Sequence, residues 1–230
     1  MAMTGFNPDE VNSSINSVKS AYEALIRALG DDMQNQFVGG MADKWACRNA
    51  QSFFNDAFKP SVDSLISSSN QIFESIVSAM NAAGQAWAEQ TDANYSPVSF
   101  SAINKTMDTS VIQENIGGVR GIDLDTATGV VAKLPTIAES AKNALTQAQQ
   151  AVQSCGFIGG GQAESLVNAL GVVKSKIDAA TGEISNETKS YMDQTIAEYS
   201  NTEGKVSEAF SANNSVSYTH LRAHETCADL

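Results

Sequence analysis

Two histidines one helical turn apart, His220 and His224, with Cys227 three residues further on, offer the donor types and close spacing that a zinc ion takes. They are the only 2 histidines in 230 residues, so a metal reading stands or falls with the segment that carries them. The remaining chemistry is sparse. Asp31-Asp32 and Asp123-x-Asp125 bring carboxylates close together, but helix ends and loops are rich in acids and the pairs read as ordinary. No Gly-x-Ser-x-Gly elbow, no phosphate-cradling Gly-x-x-x-x-Gly-Lys and no Cys-x-x-Cys pair occurs. Cys47 and Cys155 are expected as two buried or half-buried thiols, with a bridge between them as the alternative. The sequence therefore predicts no enzyme, no cofactor and no metal.

The histidine segment, Val216 to Thr226, breaks the composition of everything upstream and resembles the translation of a transposase-type sequencing adapter. Residues 215–230 are accordingly read as a non-native tail and excluded from fold reasoning, the alternative being an ordinary tail. On that reading both histidines and Cys227 drop out, and with them the zinc hypothesis. The native reading frame would then continue past residue 214, with room for a further domain.

Composition narrows the partners. With 14 basic against 26 acidic residues the formal charge is -12, and no Lys/Arg cluster is present, which argues against nucleic acid and anionic lipid. No stretch approaches the roughly 20 apolar residues of a membrane span. Met1 to Glu10 lacks a basic region followed by an apolar run, so any export is expected without a cleaved leader.

What remains must be positioned by helices. Asn7-Pro8-Asp9-Glu10 is a helix start, with Asn as cap, Pro in the first turn and two acids at the positive end of the dipole. Val11, Ile15, Val18, Tyr22, Leu25 and Leu29 then alternate by four and three, a stripe for lying along a partner helix. Gly30-Asp31-Asp32 weakens it before a glycine hinge, Phe37-Val38-Gly39-Gly40. A second, longer pattern is expected from about Ala42 to Asn94, with Pro60 interrupting it. Ser96 to Leu124 loses the rhythm and reads as a connector that partly packs on the bundle. With Asp125 as candidate cap, a third pattern runs to Val152, interrupted by Pro135. Phe157-Ile158-Gly159-Gly160 then repeats the hinge, and a last long helix carries Leu166, Leu170, Val173, Ile177, Ile184, Tyr191, Tyr199, Val206 and Phe210 on its stripe. The expected fold is all-α: elongated antiparallel hairpins, two helix-turn-helix units forming a four-helix or coiled-coil-like bundle. The units are 1–96 and 125–214, joined by 97–124 and followed by the tail 215–230.

One motif is more specific. Trp45-Ala46-Cys47-Arg48-Asn49-Ala50-Gln51-Ser52-Phe53 resembles the turn of the WXG family of small secreted helical hairpins, the early-secreted-antigen-like substrates of type VII secretion. Trp45, Ala50 and Phe53 fall on that family's pattern, while Cys47 stands in place of its glycine. In the second half Ser165-Leu166 replaces the tryptophan, so that half resembles the family only in architecture. The resemblance implies export and a C-terminal Tyr-x-x-x-Asp/Glu signal, which Tyr199 to Glu203 fits, although Tyr199 equally suits the apolar stripe. Phe37, Gly39, Gly40, Trp45, Ala50 and Phe53 are thus the candidate turn and partner-binding residues, and Tyr199 and Glu203 the candidate signal. Trp45 also has a plain structural use, as a plug for the open end of the hairpin.

The function expected from this is non-enzymatic. The chain would be a substrate or targeting and partner module of a type VII secretion system in a Gram-positive bacterium, extracellular or on the cell surface, or the N-terminal part of a longer toxin. Its partner would be a component of the secretion machinery or another helical protein, a second copy included. The alternatives are a membrane-active helical toxin component and a phage or structural coiled-coil rod.

Overall fold

Asn7 begins the first helix as its sequence implies. Its side-chain oxygen accepts the backbone N–H of Asp9 at 3.1 Å and of Glu10 at 3.3 Å, and Pro8 occupies the first turn. The computed structural model describes residues 5–158 and 161–225. Helix α1 (Pro8–Ile26) buries Val11, Ile15, Val18, Tyr22 and Leu25, the expected stripe. It then continues without a break through a wide-turned π-helical segment, Arg27–Val38, into the single turn α2 (Gly39–Met41). A π-turn closes on the residue five back, as the Gly39 N–H does on the Gln34 carbonyl. That wider pitch lets Ala28, Leu29 and Gly30 all be buried in succession, which a heptad stripe does not allow.

Two expectations are corrected here. Gly30-Asp31-Asp32 lies inside a continuous π-helical segment rather than before a break, and Gly39-Gly40 is not the hinge: Gly39 is helical, with φ -65°. Gly40 is instead a point of close approach, since a Cβ there would lie 2.8 Å from Val130 Cγ2. The chain turns one step later. Asp43 takes a left-handed φ of 58°, and Trp45–Ala46 forms a two-residue strand, β2. The second helical stretch therefore starts at Arg48 rather than near Ala42. It comprises α3 (Arg48–Ser52), a second π segment (Phe53–Phe58) and α4 (Lys59–Thr91). Pro60 falls directly after the wide turn, where Lys59 N–H already bonds five residues back to Phe54, so the missing proline donor interrupts no regular ladder.

Thr91 is followed by Asp92 in the left-handed conformation, and the chain then runs extended through residues 93–109. This connector passes back along α4 to the turn end, where Gly121–Ile122 (β3) pairs antiparallel with β2. The next cap is Asp123, not Asp125: its carboxylate accepts the Thr126 N–H at 3.0 Å and opens α5 (Leu124–Val131). A turn separates α5 from α6 (Leu134–Gln153), so Pro135 sits in a first turn, where its lack of an N–H is harmless. β4 (Phe157–Ile158) pairs with β1 (Gly5–Phe6), and α7 (Gly161–Glu225) completes the chain. Of the second Phe-Ile-Gly-Gly, Gly159 and Gly160 lie outside the described residues, as do residues 226–230 of the tail.

Side-chain pairs fix the arrangement of the long helices. Phe6 lies against Trp87, Tyr22 against Phe73 and Phe37 against Phe54, so α1 and α4 are antiparallel. Ser14 bonds to Ser154 at one end of α1 and Gly40 meets Val130 at the other, so α6 is antiparallel to α1. α7 packs on both α6 and α4. One apolar core runs through all four, from Val11 to Met192. The two turns therefore lie at opposite ends, Trp45 at one and Phe157 at the other. Cys47 and Cys155 are separate free thiols at those two ends, which removes the bridge between them. Val206 and Phe210, expected on the buried stripe, are 49% and 70% exposed, because α7 runs on past the turn end with residues 200–211 all exposed.

Tyr22 ties the connector to the core. Its hydroxyl donates to Asn70 Oδ1 at 2.7 Å and accepts the backbone N–H of Ile103 at 2.5 Å. Burial pushes its ionisation above the ordinary tyrosine value. Tyr22→Phe keeps the ring and strands both partners, so it is expected to lose about 1–3 kcal/mol in chemical denaturation, with earlier proteolysis within residues 98–112. A variant matching the parent in both would rule out the tether.

Candidate functional site

The turn end gathers the residues on which the family resemblance rests. Trp45 is 1% exposed, held in β2 by the pairing with β3 and by the Asp123 N–H donating to the Lys44 carbonyl at 2.7 Å. Its ring lies 6.0 Å from both Phe53 and Phe54, and Phe37 packs on Phe54 and Phe58 at 5.3 and 5.0 Å. Ala50 is wholly buried beneath them, at the one place where α3 must come close to the turn. The tryptophan thus closes the end of the bundle.

Cys47 stands where no glycine is needed. Its φ of -168° and ψ of 170° are extended backbone, open to any residue, and its Sγ accepts the Ala50 N–H at 3.4 Å as the cap of α3. The left-handed residue of this turn is Asp43.

α7 brings the second motif to the same end. Tyr191 stacks on Phe53 with centroids 4.5 Å apart and planes 5° from parallel, and it also reaches Trp45 at 6.5 Å. Two turns on, the Tyr199 hydroxyl sits beside Cys47 and Trp45. Trp45 Nε1 faces it without completing a hydrogen bond and is left, buried, with no acceptor. Burial, reinforced by Cys47, pushes the Tyr199 phenol up to about 12. Glu203 lies one turn further and is exposed. Tyr199 and Trp45 are thus brought together, Phe37, Ala50 and Phe53 support them from below, and Gly39 and Gly40 belong to the preceding helix. The Phe53–Tyr191 stack was missed in the sequence, where Tyr191 is one stripe residue among many. So was the β2–β3 pairing, for which two-residue strands leave no periodic signal.

A tyrosine whose neutral form is favoured in the fold holds its stabilising contribution fully below its unfolded value of 10.0 and loses it as pH rises toward about 12. The difference in tyrosinate absorbance between the parent chain and Tyr199→Phe is expected to have its midpoint near 12. Stability should fall across the same window. A midpoint at 10.0 would place the hydroxyl in solvent.

The rest of the surface offers little for chemistry. A cavity of about 340 Å³ next to the stack is lined by Phe53, Phe58, Ile184 and Tyr191. A shallow polar groove of about 650 Å³ runs between α1 and Gln147 of α6, with Asp9 at one end as its sole charge. Among the described residues no three His, Cys, Asp or Glu side chains come together as a metal site. No family model matches the chain, and neither curated proteins nor solved structures give a match.

Proposed function

We propose that the chain is a non-enzymatic recognition module exported by a type VII secretion system, built as tandem helical hairpins similar to the WXG type and acting at the cell surface or outside it. The observation that carries this reading is the meeting of Trp45 and Tyr199 at one end of the bundle. The two resemblance motifs lie far apart in sequence and meet in the fold. Glu203 is presented in solvent one turn beyond, free to meet a component of the secretion machinery. The two halves, 1–96 and 125–214, would be hairpins related by duplication, the second serving the first as its helical partner. The rival membrane-active reading needs a spanning segment, and no helix among the described residues is long and apolar enough to cross a membrane.

The discriminating variant is Glu203→Gln, because an exposed side chain can be neutralised without touching the core. Expressed in a Gram-positive host carrying a type VII system, it should accumulate in the cells while its level in the medium drops about tenfold, a loss of about 1.4 kcal/mol in machine binding. Export at the parental level with both Glu203→Gln and Tyr199→Phe would sink the reading.

A further inference from the structure

The connector is held in an unusual way. Between Ala93 and Asn115 it forms neither helix nor ladder, and its backbone is bonded instead by side chains projecting from the helices. Asn81 pairs with both backbone groups of Val98, accepting the N–H at 3.0 Å and donating to the carbonyl at 2.9 Å. Tyr22 takes the Ile103 N–H and Asn70 donates to the Ile103 carbonyl at 3.3 Å. Asp63 accepts the Met107 N–H at 2.7 Å while Lys59 donates to the Met107 carbonyl. Gln34 grips Asp108 through both backbone groups, at 2.8 and 2.9 Å, and Gln51 donates to the Ile112 carbonyl.

Every one of these bonds goes to an atom that any residue would supply. Sequence enters through apolar anchors, Met107 and Ile112 being buried and Phe100 and Ile103 half-buried against the core, and through three polar side chains, Asn104 on Asn70, Lys105 on Asp31 and Thr109 on Asn55. Two glycines complete the fit. A Cβ on Gly84 would strike the Tyr95 ring at 2.5 Å and one on Gly30 the Lys105 stem at 2.7 Å, so the groove floor is cut away under the connector.

We propose that the groove between α1 and α4 is a polypeptide-binding site that reads extended backbone, occupied in cis by residues 98–112, and that an extended segment of a partner protein with apolar side chains at the same spacing takes their place. The chemistry permits exchange, since each bond surrendered by the connector is regained with the incoming backbone, and the ends of the connector are turns. Asp92 is left-handed at one, and Gly117 and Gly118 have φ of 58° and 85° at the other. As an attached ligand the connector competes at the high effective concentration of a short tether, so the site is closed until the tether is cut or outcompeted. The proposal does not depend on the export reading.

The test uses the full chain with a protease site inserted after Asn94 and another at Gly117-Gly118, together with a fluorescent synthetic peptide of residues 96–114. After cleavage the peptide should bind saturably by anisotropy and release the original segment, and the uncut chain should bind about tenfold more weakly or worse. A peptide N-methylated at Ile103 and Met107 loses two N–H donors and should bind about tenfold more weakly at least. A peptide with its exposed residues other than Asn104 changed to alanine should keep its affinity. The proposal is overturned if the cleaved segment fails to exchange, if cleavage unfolds the chain, or if N-methylation leaves binding unchanged.

Discussion

Trp45→Ala should cost about 3–5 kcal/mol in chemical denaturation, the loss expected for truncating a fully buried tryptophan. The side chain is 1% exposed, and its ring is walled by Phe53, Phe54 and Tyr191. Truncation therefore leaves a cavity whose walls come from two elements, the second π segment and α7, that cannot both collapse inward. It also opens the surroundings of the Tyr199 hydroxyl to water, and because burial is the main cause of that phenol's high ionisation, outweighing the indole contact that lowers it, the ionisation should fall back toward 10.0. Trp45→Phe separates the two effects. It refills most of the volume while deleting the indole N–H, which has no acceptor, so little stability should be lost with it. A Trp45→Ala variant within about 1 kcal/mol of the parent would show that the turn end relaxes freely and that Trp45 is no plug.

The second large effect separates the two Phe-[Val/Ile]-Gly-Gly segments. Phe37 is wholly buried between Phe54 and Phe58, and Phe37→Ala should cost about 3–5 kcal/mol. Phe157 is half-buried in a two-residue strand, and Phe157→Ala should cost less than half as much. Equal losses would restore the equivalence that the sequence suggests. The weak point of the Phe157 end is the neighbouring glycine. A Cβ on Gly156 would lie 2.6 Å from Glu10 Cβ and 2.8 Å from the Asn7 carbonyl, which belongs to the start of α1 and cannot swing aside.

The helices were legible because their signals are local. The Asn7 cap, the stripe from Val11 to Leu25 and the place of Pro8 in a first turn need only near neighbours. The turn was misplaced for the opposite reason. Gly39-Gly40 looks like punctuation, but Gly40 is small because Val130, ninety positions away in the chain, must pass over it. The π segments were invisible, since their signature is a run of adjacent buried residues that a heptad template counts as noise. Val206 and Phe210 were misread because periodicity reports that a face is apolar, not that anything covers it. At the site, the sequence supplied Trp45, Ala50, Phe53 and Tyr199 singly. Their meeting depends on the direction of α7, which turns back along α6, itself reached only after a connector with no periodic pattern at all.

That path has a consequence in time. A hairpin whose helices are neighbours in sequence can close while the rest of the chain is still being made, but α1 lies most extensively on α6, and Ser14 reaches Ser154 across 140 positions. β1, which precedes α1, finds its partner only at Phe157–Ile158. During synthesis, the apolar face of α1 that belongs to α6 must wait in water until α6 has emerged. Distant pairing of this kind slows folding well below the rate of a bundle with only local contacts. A nascent chain halted before α6 should therefore present an open apolar face to chaperones, and one extended past Ile158 should not.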